Sequence, residues 1–274
     1  MPELPEVETI RRTLQERVLN LPILATKVLY PRLLQNCTEL ELAQALYGRA
    51  FKQIDRRGKY LIFHLDSEDR VVFHLRMTGK LVAVPWSFPM EKHTSLQVIL
   101  DRNLELRLVD QRKFATMHLL QGPGYGMIKG LATMGEEPLS DEFTPDYLLA
   151  QCRGRKAPIK SVILDQRRIG GLGNIYADES LYRARIFPGR PAGSLTPKEI
   201  HRLHASIQAV IQEGIAYRGT TFRDYVDGDG RVGGFQERLQ VYGREGQACL
   251  ACGESIHRIR IAGRSSSYCP NCQI

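Results

Sequence analysis

Near its end the chain carries two Cys-x-x-Cys knuckles, Cys249-Leu-Ala-Cys252 and Cys269-Pro-Asn-Cys272, separated by a stretch long enough for a β-hairpin. Four thiolates at this spacing can close one tetrahedral zinc site, with two sulfurs from each tight turn. The constraint on folding is severe. About 30 residues cannot bury enough apolar surface to fold alone, so a bound metal supplies the folding free energy. Two disulfides would use the same spacing, but only Cys37 and Cys152 remain elsewhere and no export signal suggests an oxidising compartment, which favours zinc. Four cysteines leave no open position for water, so one structural Zn2+ is expected.

The full chain of 274 residues suits two domains plus that module. Apolar residues make up 43% and charged residues 25%, the balance of a globular protein. No apolar run reaches membrane-spanning length, and the acidic, Pro-punctuated opening is unlike a secretory or transit peptide. A cytoplasmic protein with no membrane partner is expected. The net charge of +8 raises the prospect of a polyanionic partner. Basic clusters at Arg56-Arg57-Lys59, Arg112-Lys113, Arg153-Arg155-Lys156-Lys160 and Arg258-Arg260-Arg264 occur in every region. That distribution suggests a groove gathered from several elements.

Val7, Ile10, Leu14 and Val18 recur at helical spacing, with Pro5 in the first turn, predicting a helix over about 5–18. From 24 to 120 the pattern turns to short β-forming runs at 26–30, 60–65, 71–75, 96–100 and 104–109, with a short helix at 39–47. Gly122-Pro123-Gly124 opens a linker-like stretch to about 142. Helical periodicity follows at 145–152, 157–166, 174–185 and 196–214, where Thr196-Pro197-Lys198-Glu199 reads as a capping box. Residues 216–236 are glycine-rich with little apolar periodicity, a mobile-loop candidate. The order is a β-rich sandwich, a helical domain and a zinc hairpin: an α+β fold.

Removal of Met1 would leave Pro2 with a free secondary amine, whose ordinary pKa lies well below that of lysine. Such an amine can attack a sugar C1′ and form an iminium ion, and Glu3 beside it could protonate the ring oxygen. The bland alternative is that Pro2 and Pro5 merely stiffen a helix entry.

Met1-Pro2-Glu3-Leu4-Pro5-Glu6-Val7-Glu8-Thr9 resembles the opening of the bacterial formamidopyrimidine-DNA glycosylases, which excise oxidised purines such as 8-oxoguanine. The resemblance continues through Arg56-Arg57-Gly58-Lys59-Tyr60, His74-Leu75-Arg76-Met77, Asp110-Gln111-Arg112-Lys113-Phe114, Gly171-Leu172-Gly173-Asn174-Ile175-Tyr176-Ala177-Asp178-Glu179 and the zinc hairpin. It implies an N-terminal β-sandwich over 1–130 and a linker over 131–143. A helix–two-turn–helix domain with a lesion-recognition loop follows over 144–243, then a four-cysteine zinc finger over 244–274. It also implies that Pro2 is the nucleophile and Glu3 its acid/base partner, with Lys59 and Arg264 assisting at the phosphates around the lesion. Met77, Arg112 and Phe114 match the trio that fills the gap left by an everted base, where a guanidinium can satisfy the orphaned cytosine. His93, Lys156 and Asn174 are implied as further DNA contacts.

By the same resemblance the partner is double-stranded DNA containing oxidised purines or abasic sites, held by a monomer in a basic cleft. The chemistry implied is base release through a Schiff base, then β,δ-elimination that leaves a one-nucleotide gap, with no redox cofactor or catalytic metal. Three positions depart from the usual pattern: Ala115 for glycine, Ser265-Ser266-Ser267 for Gly-Thr-His, and Arg-Ile-Gly-Gly at 168–171 for Val-Ala-Gly. None removes a proposed catalytic group. The sister endonuclease VIII type, preferring oxidised pyrimidines, is the nearest alternative; Leu4 and the Arg112/Phe114 pair favour the purine enzyme. A non-catalytic zinc-ribbon DNA-binding protein and a nucleotide-binding oxidoreductase are the readings from other classes.

Overall fold

The computed structural model describes residues 2–122 and 124–274; Met1, with its expected removal, and Pro123 of the expected linker lie outside the described residues. The chain divides into two compact units, the first comprising 1–132 and 217–234, the second 133–216 and 235–274.

The first unit opens with α1 (Leu4–Val18). Glu3 is its N-cap, and a reciprocal capping box joins Glu3 and Glu6, whose Oε2 accepts the Glu3 N–H at 2.8 Å. Val7, Ile10, Leu14 and Val18 all face inward, as their spacing predicts, and are fully buried. They join two four-stranded antiparallel sheets in one core. One sheet runs β1 (Ile23–Val28), β6 (Thr94–Leu100), β7 (Leu104–Asp110), β5 (Gly79–Pro85). The other runs β2 (Phe51–Arg57), β3 (Tyr60–Leu65), β4 (Arg70–His74), β8 (Thr116–Leu120). Phe63 stacks edge-on with Phe51 at 5.0 Å and with Phe73 at 5.4 Å, giving the second sheet an aromatic spine. The short helix expected at 39–47 is α2 (Glu39–Leu46).

Three strands escape the sequence reading. Along β2 only Phe51 and Ile54 are buried, so its charged residues read as a basic surface cluster. Arg56 in fact turns back onto α1, where Glu8 accepts from Arg56 Nε at 3.2 Å, Arg11 Nη2 at 2.8 Å and Arg12 Nε at 2.7 Å. β5 and β8 are short runs whose pairing partners, β7 and β4, decide their conformation.

In the second unit, α3 (Lys129–Ala132) having closed the first, come α4 (Pro145–Cys152), α5 (Ile159–Leu164), α6 (Asn174–Arg183) and α7 (Pro197–Ala216). Thr196 caps α7 as expected: Glu199 Oε2 accepts the Thr196 N–H at 2.8 Å, and Thr196 Oγ1 accepts the Glu199 N–H at 3.3 Å. The zinc-module hairpin is β9 (His257–Ile261) with β10 (Arg264–Tyr268). No helix among the described residues is long and apolar enough to cross a membrane.

Burial raises the Glu8 carboxyl, but the hydrogen bonds from Arg11 and Arg12 and the charges of Arg11 and Arg56 outweigh it and hold it at about 2. A depressed folded value stabilises above the unfolded pKa and is lost as pH falls through the folded one. Glu8→Gln is therefore expected to cost about 1–2 kcal/mol at pH 7, after allowance for solvent screening. It should also flatten the loss of stability between about pH 4.5 and 2 in urea unfolding curves.

Candidate functional site

In the first unit the side chains expected from the sequence to act stand at the head of α1 and on the turns between strands. Pro2 and Glu3 are both buried and lead directly into α1. The same Glu6 that caps α1 also binds the 217–234 segment, through the Thr220 N–H at 2.7 Å to Oε1. Gly219 is required there: it has φ +81°, and a Cβ would stand 2.8 Å from Glu6 Cγ. Thr13 Oγ1 accepts the Gly228 N–H at 2.9 Å, and the Tyr225 hydroxyl donates to Arg218 O at 3.0 Å. Asp227, fully buried, pairs with Arg218 and accepts the Asp229 and Arg231 N–H groups at 2.9 and 3.0 Å. The glycine-rich segment thus has a stem fixed to α1, while Phe222 and Arg223 near its tip are exposed.

Lys59 occupies the two-residue turn between β2 and β3, after Gly58 at φ +56°. It is only 6% exposed, so it is not a solvated surface charge. Next to it His74 is held neutral: burial first, then the Arg76 and Lys59 charges, push its pKa down to about 3. His74 Nδ1 accepts the Arg76 N–H at 3.0 Å, which places the ring proton on Nε2. In the sequence His74 carries no signal of a role beyond its place in the His-Leu-Arg-Met block.

Met77, Arg112 and Phe114 project from two turns and are exposed, Met77 at 43% and Phe114 at 51%. The Arg112 guanidinium lies 4.7 Å from the centre of the Phe114 ring. Exposed apolar side chains of this size contribute nothing to a core. His93 is half-buried and borders a cavity of about 250 Å³ with Thr78, Lys80 and Asp224.

In the second unit Gly173 is the N-cap of α6 and offers no side-chain cap, and Asn174 is the first helical residue. Asn174 Nδ2 donates to Ser265 O at 3.1 Å, while its buried Oδ1 has no partner. Lys156 is exposed. Lys160, counted with it as a basic surface cluster, is not a surface charge. Its side chain is fully buried, pairs with Asp178 at 2.6 Å and donates to Ser265 O at 2.7 Å. Asp178 also accepts the Ser266 hydroxyl at 3.3 Å and the Ser267 N–H at 3.0 Å. Burial raises the Asp178 carboxyl against the pull of Lys160 and both serines. The serine run that departs from the usual pattern is therefore seated on α6 through the backbone and one hydroxyl. Arg264 stands exposed at the hairpin tip, beyond Ala262 and Gly263, both in the left-handed region. Glu179 completes the anchorage, its carboxylate accepting the N–H groups of Gln240, Val241 and Tyr242 at 2.9–3.0 Å.

The sulfurs of Cys249, Cys252, Cys269 and Cys272 lie within 4.8 Å of one another. A tetrahedron with Zn–S of about 2.3 Å has sulfurs about 3.8 Å apart. The Cys249–Cys272 and Cys252–Cys269 separations are 3.9 and 3.5 Å, so the four fit a single zinc ion. The Tyr182 hydroxyl, 3.3 Å from Cys249 Sγ, ties that site to α6.

Residues 1–117 match the family model described as formamidopyrimidine-DNA glycosylase N-terminal domain, 134–226 its H2TH domain, and 246–274 the zinc finger found in FPG and IleRS. The formamidopyrimidine-DNA glycosylase of Pelotomaculum thermopropionicum is 45% identical over 273 residues, covering 100% of this chain and 99% of the relative. That of Symbiobacterium thermophilum is 47% identical, covering 100% and 89%. Among solved structures, a Lactococcus lactis FPG variant bound to Fapy-dG containing DNA superposes with TM-score 0.92 at 37% identity over 99% of both chains. The Lactococcus lactis Fpg complex with abasic-site DNA gives the same TM-score, identity and coverage.

Two outcomes are expected. Metal analysis of the purified chain finds one zinc, and its removal by a chelator unfolds the 246–274 module, read as loss of amide protection there. Lys160→Met leaves Asp178 buried without a cation and costs about 3–5 kcal/mol in chemical unfolding, with protection lost first at 264–268.

Proposed function

The chain belongs to the formamidopyrimidine-DNA glycosylase family, DNA glycosylases of base-excision repair, and on that premise we propose that it excises oxidised purines from duplex DNA and then cleaves the abasic strand. The substrates are 8-oxoguanine and formamidopyrimidines paired with cytosine. The Lactococcus lactis relatives bound to Fapy-dG and abasic-site DNA support this choice.

With Met1 removed, the Pro2 nitrogen attacks C1′ as the C1′–N9 bond breaks, and the damaged base leaves carrying the proton that this nitrogen sheds. Glu3 protonates O4′ as the sugar ring opens, and the nitrogen lone pair forms the iminium ion. Loss of a C2′ proton expels the 3′ phosphate, and a second elimination expels the 5′ phosphate. Lys59 offsets charge at the lesion phosphates. Met77 and Phe114 fill the vacated stack, and Arg112 donates to the orphaned cytosine. In the second unit the uncapped α6 N-terminus, the second amide hydrogen of Asn174, Lys156 and Arg264 grip the backbone. Zinc, held by the four cysteines, keeps the Arg264 hairpin folded and takes no part in bond making.

The observation that carries this reading is the buried Pro2–Glu3 pair, fixed at the head of α1 by Glu6, whose second oxygen holds the 217–234 segment. Sodium borohydride is expected to trap a covalent complex between Met1-processed protein and an 8-oxoguanine:cytosine duplex. Pro2→Gly, which keeps an N-terminal amine but loses the ring-held secondary one, should lower trapping and cleavage by about 100-fold while DNA affinity holds. A processed wild-type chain that cuts this duplex without any trapped adduct would refute the mechanism.

A further inference from the structure

Three of the stretches expected to meet DNA in the first unit, those of Met77, His93 and Arg112 with Phe114, are tied to one aspartate. Asp110 closes β7 and is 1% exposed. Its Oδ1 accepts the Thr78 hydroxyl at 2.5 Å and the Arg112 N–H at 3.2 Å. Its Oδ2 accepts the Phe114 and Ala115 N–H groups at 2.7 and 2.8 Å. Its own N–H donates to His93 O at 2.9 Å, and its carbonyl accepts the Lys113 N–H at 3.3 Å. Lys113 stands at φ +57°, the left-handed turn that carries the chain from Arg112 to Phe114.

We propose that Asp110 is a positioning residue for base eversion: it locks Met77, Arg112 and Phe114 into one rigid wedge and sets which base that wedge accepts opposite the lesion. The proposal rests on the glycosylase reading above. An ionised carboxylate has about four acceptor sites and no donor, and here two donors meet each oxygen, none of them from a cationic group. Thr78 follows Met77 directly, so the Oδ1 pair ties the Met77 turn to Arg112, and the Oδ2 pair fixes Phe114. An asparagine must turn an NH2 toward two donors on one side. Both wedge turns would then lose their common anchor, although no DNA-contacting side chain has changed. Specificity follows from the same geometry. Cytosine offers acceptors at N3 and O2 to a guanidinium, whereas adenine presents an N6 donor. Discrimination requires Arg112 to be held, not merely present, because a misplacement of 1 Å can cost about 100-fold.

The test uses the full-length, zinc-loaded, Met1-processed protein carrying Asp110→Asn or, as a milder change, Thr78→Val. Asp110→Asn is expected to lower excision from the 8-oxoguanine:cytosine duplex about 100-fold. The preference for cytosine over adenine opposite the lesion should shrink toward one. Borohydride trapping on a single-stranded abasic oligonucleotide, which needs no wedge, should fall far less. Thr78→Val cuts only the tie to the Met77 turn, and should move the opposite-base preference the same way by a smaller factor. A preference unchanged in the variants that fold overturns the proposal. An equal loss of duplex excision and single-strand trapping overturns it too, since a purely structural role would give that. Wild-type protein that traps neither substrate would sink the glycosylase chemistry itself, before any variant is compared.

Discussion

Buried carboxylates that accept backbone N–H groups are the constraint on which both units depend. Taking an ionised acid out of water is costly unless its oxygens are filled, so each such group dictates where its donors lie. Glu6 joins the head of α1 to Thr220, and Asp227 folds the 217–231 turn on itself. Asp110 gathers the turns that carry Met77 and Arg112. On α6, the consecutive Asp178 and Glu179 seize β10 and residues 240–242. Each of these surface loops is thereby fixed by a group that touches no DNA in the proposed mechanism. Pre-organised loops lose little entropy on binding, which leaves more of the contact energy for distorting the nucleic acid.

The second unit combines three anchors of different chemistry at one hairpin. Zinc closes the base of the module, the Lys160–Asp178 pair seats β10, and Glu179 fixes the approach to it. A buried ion pair is a poor source of net stability, since desolvation offsets much of its attraction, but it is exacting about geometry. That suits a hairpin whose tip holds Arg264 exposed. In the first unit the aromatic spine and the aliphatic face of α1 supply stability, and the polar turns are placed on that rigid base. Stability and positioning are thus assigned to different side chains.

The zinc knuckles, the Thr196 capping box, the α1 face and the order of strands before helices were legible because each depends on neighbours within one or two turns of chain. β2 was not, since its charges hid a strand that only Phe51 and Ile54 anchor. Lys160 reads as one more charge of a basic cluster, since the sequence offers no sign of its burial. Its partners are Asp178 and, 105 residues further on, the Ser265 carbonyl. Glu6 reads as a helix-dipole acid, and nothing local hints at its bond to Thr220, 214 residues away. His74 likewise reads as an ordinary histidine until burial and the Arg76 and Lys59 charges push its pKa down to about 3.

By itself the sequence determined the metal site, the helical and extended periodicities, and the chemistry on offer at Pro2 and Glu3, all encoded in residue type and short spacing. Only the tertiary structure decided which acids and bases are removed from water and which loop each one holds. The physical reason is that desolvation belongs to a place in the fold: the same aspartate is a solvated charge on a surface and a rigid anchor inside.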